Sequence, residues 1–142
     1  MIGYSGGSFD CLHVGHMRFL KECKNYCSYL VVSLNTDSFI ERYKGKETLF
    51  SYQEREQHLL DSGYVDLVVE NSGGEDSKPA IELVKPGIIL IASDWAKKDY
   101  YSQMGFTQDW LDERHIALCY IPYYPRISTT KIRERVSEQH TT

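Results

Sequence analysis

Two histidines three residues apart, His13 and His16, follow a glycine-rich approach, so that residues 6–18 read GGSFDCLHVGHMR. An imidazole donates hydrogen bonds to anionic oxygen, and Gly6 and Gly7 leave room for such a ligand to come up against the main chain. A helix opening here adds unpaired N–H groups and the positive end of its dipole. Residues 15–18 are Gly, His, Met and Arg, whereas Asp or Glu ordinarily complements the dipole in a first turn. That composition calls for negative charge from outside, and we read the segment as a nucleotide-phosphate site. Two plainer readings are open: exposed surface histidines, or a zinc pair completed by Cys23 and Cys27. The second needs ligands that lie too far along the same helix.

The elements that must position this segment alternate. Ile2–Ser5 reads as a short strand, and Val14–Asn25 as a helix, with Met17, Leu20, Cys23 and Cys27 recurring at spacings of three and four. Tyr29–Leu34 (YLVVSL) is a buried strand ending in Asn35-Thr36-Asp37, which caps a short helix. Residues 43–51 read as a loop carrying Lys44 and Lys46. The sequence Ser51-Tyr52-Gln53-Glu54 fits a capping box and opens a helix that ends at Gly63. Strand Asp66–Glu70, loop Asn71–Gly74, helix Lys78–Val84 and the apolar strand Ile88–Ala92 follow, with Ser93-Asp94-Trp95 at that strand's carboxyl end. After a polar, aromatic loop over 96–106 come a helix over Thr107–Arg114, a strand over Ile116–Ile121 and a last helix. This alternation predicts an α/β fold, a doubly wound parallel sheet forming one domain over residues 1–142 with the last few residues disordered. Ligands of such sheets bind beyond the carboxyl ends of the strands, where Gly6–Asp10 and Ser93–Trp95 would converge.

Composition narrows the partners. Sixteen basic and twenty acidic residues give a net charge of −4, so phosphate binding must be local and an extended nucleic-acid footprint is not expected. The four cysteines, Cys11, Cys23, Cys27 and Cys119, show no zinc-ribbon or C-x-x-C spacing, and a reduced state is the default. Residues 1–30 carry no signal-peptide pattern, and no apolar run approaches the ~20 residues of a membrane span. A soluble, cytoplasmic protein is expected.

The segment GSFDCLHVGH resembles the G-[TS]-F-D-x-x-H-x-G-H signature of the HxGH-type nucleotidyltransferases. Ile127-Ser128-Thr129-Thr130 is similar to the I-S-T-T element of that superfamily, most closely of its glycerol-3-phosphate cytidylyltransferase group. Asn35-Thr36-Asp37, Lys44 with Lys46, Glu54-Arg55, Tyr64-Val65-Asp66 and Asp94-Trp95 agree with it as well. The resemblance implies a Rossmann-like nucleotidyltransferase fold and transfer of CMP from CTP to a phosphorylated small alcohol of the glycerol-3-phosphate kind, with release of pyrophosphate and no covalent enzyme intermediate. An ATP-using adenylyltransferase and a non-catalytic nucleotide-binding module are the alternatives.

The same resemblance assigns roles. His13 and His16 would bind the triphosphate and stabilise the transition state, Gly7, Ser8 and Phe9 would line the phosphates, and Lys44 and Lys46 would close over them, Lys44 also meeting the substrate. Asp10 would orient the site or the Mg²⁺ that accompanies the nucleotide, no metal being held by the protein alone. Arg55 would support the loop or the substrate, Asp94 and Trp95 would line the nucleotide, and Ile127, Ser128, Thr129 and Thr130 would grip the leaving phosphates. Partners would be CTP or ATP, a small phosphorylated acceptor and a second copy in a homodimer, with neither nucleic acid nor membrane. Two departures stand out. Tyr123 occupies the place of a phosphate-binding arginine, for which Arg126 would substitute in holding substrate, and Ala92-Ser93-Asp94-Trp95 stands where G-D-D-W is usual.

Overall fold

The runs YLVVSL and IILIA are apolar on both faces, which suits strands covered from two sides. The computed structural model describes residues 1–92 and 104–121, and places both runs near the middle of a parallel sheet. In chain order the elements are β1 (Ile2–Gly7), α1 (Val14–Cys23), β2 (Tyr29–Leu34), α2 (Asp37–Lys44), α3 (Tyr52–Asp61), β3 (Leu67–Glu70), α4 (Lys78–Val84), β4 (Ile88–Ala92), α5 (Gln108–Glu113) and β5 (Ala117–Ile121). The strands lie in the order β3-β2-β1-β4-β5, every pair parallel. This is a Rossmann-like α/β fold.

Alternate residues of a strand face opposite sides of a sheet, and the two cores follow from that. Leu30, Val32, Leu34, Ile88 and Leu90 join Phe19, Leu20 and Cys23 of α1 and Leu59 of α3 on one side. Tyr4, Ile89 and Ile91 join Ala80 and Ile81 of α4 and Leu111 of α5 on the other. Close approach of the α1–β2 connection to the sheet depends on Gly3, where an added Cβ would meet Cys27 Sγ at 2.6 Å.

The sheet order reverses beside β1, and the register shows where it opens. β1 pairs with β2 along its whole length, from Ile2 opposite Tyr29 to Gly7 opposite Leu34. With β4 it pairs only at Gly3–Ile88 and Tyr4–Ile89, although β4 itself continues with β5 to Ala92–Ile121. Beyond Tyr4 the two central strands therefore part, which makes the crevice of a topological switch point.

Several boundaries differ from the sequence reading. β1 runs two residues further, because pairing with Ser33 and Leu34 draws Gly6 and Gly7 into the ladder. α2 takes in Tyr43 and Lys44, where the sequence predicts loop, and stops where Gly45 adopts φ 67°. β3 begins at Leu67, since the Asp66 carboxylate is engaged with Lys24 Nζ at 2.7 Å and the Leu30 N–H at 2.8 Å. Thr107 caps α5 rather than opening it, accepting from the Trp110 N–H at 3.1 Å. Asp94, Trp95, Tyr123, Arg126, Ile127, Ser128, Thr129 and Thr130, with most of residues 96–106 and the expected last helix and disordered end, lie outside the described residues.

Candidate nucleotide-phosphate site

Between β1 and α1 the chain makes a strained turn. Phe9 and Cys11 both have positive φ, 44° and 67°, an uncommon state for residues with side chains and one that clusters at functional sites. Burial of the Phe9 ring in the α1-side core holds the turn in place. The ring also meets His16 edge-on at a centroid distance of 5.3 Å.

His13 is the N-cap of α1. Its Nδ1 accepts from the Gly15 N–H at 3.0 Å, and His16 Nδ1 accepts from the His13 N–H at 3.4 Å. Two imidazoles thus fill the reciprocal roles that Ser and Glu usually take in a capping box. A nitrogen that accepts carries no proton, so each ring, when neutral, bears its hydrogen on Nε2. The rings stack at 3.9 Å and 20°. Burial lowers the pKa of both; for His16 it falls to about 4, with the His13 and Lys44 charges adding to the effect of burial. Both are therefore neutral Nε2–H donors at pH 7. His13 Nε2 is buried and has no partner among the described residues, an arrangement that costs about 1–3 kcal/mol unless an acceptor arrives. No acidic residue stands in the first turn, so the dipole and both donors favour an anion.

Asp10 and Arg55 hold this turn against the next loop. The Asp10 carboxylate, 7% exposed, accepts from the Leu49 N–H at 2.8 Å and the Phe50 N–H at 2.9 Å. It ties the segment after Lys46 to the β1–α1 turn. Arg55 is fully buried. Its Nη1 donates to the carbonyls of Ser8 and Asn35, both at 2.9 Å, its Nε to Phe50 O at 3.2 Å, and its Nη2 to Asp37 Oδ1 at 2.6 Å. These bonds join the turns after β1 and β2 to the loop before α3, with the guanidinium turned inside the protein.

Lys44 ends α2 and acts electrostatically on His16. Lys46 follows the Gly45 cap, and both lysines are exposed, with no hydrogen bond or ion pair to a described residue. Gly7 lies under the Phe9 ring, which an added Cβ would meet at 3.0 Å. No three His, Cys, Asp or Glu side chains gather to hold a metal among the described residues. Burial pushes the Cys23 and Cys27 thiols up, away from the thiolate form that binds zinc.

Sequence reasoning missed Asn35 and Asn71 as site residues. Each stands one step past a strand, and the Asn35 amide reaches Ser8. That repeated position was the available signal.

A family model described as cytidylyltransferase-like matches residues 4–135. The glycerol-3-phosphate cytidylyltransferase of Bacillus subtilis (strain 168) is 34% identical over 131 residues, covering 92% of this chain and 93% of that protein. The FAD synthase of Pyrococcus abyssi (strain GE5 / Orsay) is 33% identical over 133 residues, covering 94% and 90%. Among solved structures, the lipopolysaccharide core biosynthesis protein from Thermoplasma volcanium GSS1 superimposes with a TM-score of 0.68 at 27% identity, covering 87% of this chain and 96% of that one.

Proposed function

The chain belongs to the cytidylyltransferase-like family, and from that premise we propose that it transfers CMP from CTP to a phosphorylated small alcohol, glycerol 3-phosphate or a close analogue. The observation that carries this reading is the pair of neutral Nε2–H imidazoles at the start of α1, one of them buried without a partner. In the reaction a phosphate oxygen of the acceptor attacks the α-phosphorus of CTP. A new P–O bond forms, the α–β bridging P–O bond breaks, and pyrophosphate leaves with its electron pair. Such a step asks the protein for alignment and for donors where charge develops. His13 and His16 supply the donors without adding a proton that would have to be lost. Lys44 and Lys46 add positive charge from the α2 end, and Ser8 and Phe9 present the main chain of the turn.

Mg²⁺ accompanying the triphosphate would neutralise part of its charge, and the described residues hold no carboxylate set for it. The reading also takes the protein as a cytoplasmic homodimer. Likeness to an FAD synthase favours a second donor, ATP, because FAD contains an adenylyl group. Pyrophosphate release from CTP and from ATP, with Mg²⁺ and a panel of phosphorylated alcohols, tests the proposal. Release from CTP with glycerol 3-phosphate or a near analogue is expected. Release from ATP alone reassigns the donor, and absence of release with every acceptor leaves a nucleotide-binding module.

A further inference from the structure

We propose that Asn35 and Asn71 are positioning residues that hold the Ser8 hydroxyl as a third proton donor to the bound triphosphate, an inference that rests on the phosphate-site reading. Ser8, Asn35 and Asn71 each stand one residue past a strand, at the carboxyl ends of β1, β2 and β3. The main chain carries the sheet one step further there: the Asn35 N–H donates to Gly7 O and the Asn71 N–H to Leu34 O, both at 3.0 Å. The side chains form a second line of bonds over the same ends. Asn71 Nδ2 donates to Gly74 O and to Asn35 Oδ1, both at 2.8 Å, and Asn35 Nδ2 donates to Ser8 Oγ at 3.1 Å.

The proton order in this line is forced from one end. A carbonyl only accepts, so Gly74 O requires the Asn71 amide to present its nitrogen. That nitrogen also faces Asn35, which must answer with its oxygen and is left with its nitrogen towards Ser8. Ser8 Oγ therefore accepts. A hydroxyl has one proton, and no described residue receives it from Ser8. The order is kept although it leaves Asn71 Oδ1 buried and unpartnered among the described residues. Ser8 is also held through its carbonyl by Arg55 Nη1 at 2.9 Å. It lies in the β1–α1 turn, which ends at His13 and leads into His16 on α1.

Reversing the order tests this. An Asp at position 71 has no proton to give, so the Asn35 amide turns its nitrogen towards residue 71 and its oxygen towards Ser8, which then donates inward. Calorimetric binding of inorganic tripolyphosphate, with no acceptor present, is the readout. Asn71→Asp and Ser8→Ala should each weaken binding by roughly 10- to 100-fold, the scale of one hydrogen bond to a charged group. The double variant should bind no more weakly than the weaker single, since independent losses would multiply. Asn35→Ala, which adds no charge, should show the same non-additivity with Ser8→Ala and serves if Asn71→Asp does not fold.

Parent-like affinity in Ser8→Ala, or losses that multiply in full, overturns the proposal. A parent protein that binds tripolyphosphate but releases no pyrophosphate with any acceptor defeats the transferase reading and leaves this test in force. A parent that binds none defeats both.

Discussion

His13 and His16 close the N-terminus of their own helix with Nδ1, and the same bonds leave each Nε2 proton for a ligand. Donors of this kind contribute most where charge develops. His16→Ala should accordingly lower turnover by at least ~100-fold, with a smaller change in nucleotide affinity. Near-normal turnover in a folded variant would remove His16 from the chemistry. Acid should reveal the cap as well. With a folded pKa of about 4 against ~6.5 in the unfolded chain, the unfolded state binds more protons between those values, and stability rises with pH there. This contribution is complete above pH ~6.5 and is lost as the pH falls towards 4, at no more than about 1.4 kcal/mol per pH unit. Chemical denaturation across that range should show His16→Ala declining less steeply than the parent; parallel curves would contradict the shift.

One buried guanidinium joins three loops into a unit. Arg55, on α3, binds the carbonyl of Ser8 after β1, that of Asn35 after β2 and that of Phe50 before its own helix, and pairs with Asp37 on α2. Arg55→Ala would strand three carbonyls and a carboxylate. The expected loss is about 3 kcal/mol in urea denaturation, at the lower end for a broken buried pair because the Asp37 side chain keeps 39% exposure and can rehydrate. Unchanged stability with a raised acceptor KM alone would assign Arg55 to substrate binding instead. The capping box of Ser51 and Glu54 illustrates the opposite case, an arrangement written within four residues and formed as the sequence predicts.

For the molecule as a whole, the crevice between β1 and β4 opens at the carboxyl ends of the strands, and the proposed function puts CTP there as the donor. A ligand that binds only the folded state at ~100 times its dissociation constant stabilises by about 2.7 kcal/mol. CTP should therefore raise the thermal midpoint by several degrees and by more than ATP at matched concentration; the reverse ranking would assign the donor to ATP. No helix among the described residues is long and apolar enough to cross a membrane.

What the sequence determined by itself was local. The bounds of Tyr29–Leu34, Lys78–Val84 and Ile88–Ala92 coincide with the elements formed, because apolar runs and turn residues act over a few positions. The signals in the GGSFDCLHVGH segment are local too, since glycine, histidine and a first turn without acid are adjacent in the chain. Tertiary structure decided what depends on partners far away. Gly6 and Gly7, poor strand formers alone, become strand by pairing with Ser33 and Leu34. Asp10 finds its donors 39 and 40 residues on, Arg55 reaches back 47 to Ser8, and Asn71 reaches back 36 to Asn35. A carboxylate, a guanidinium or an amide is equally at home in water, and only the packing of three strand ends side by side turns these four into the frame of the site.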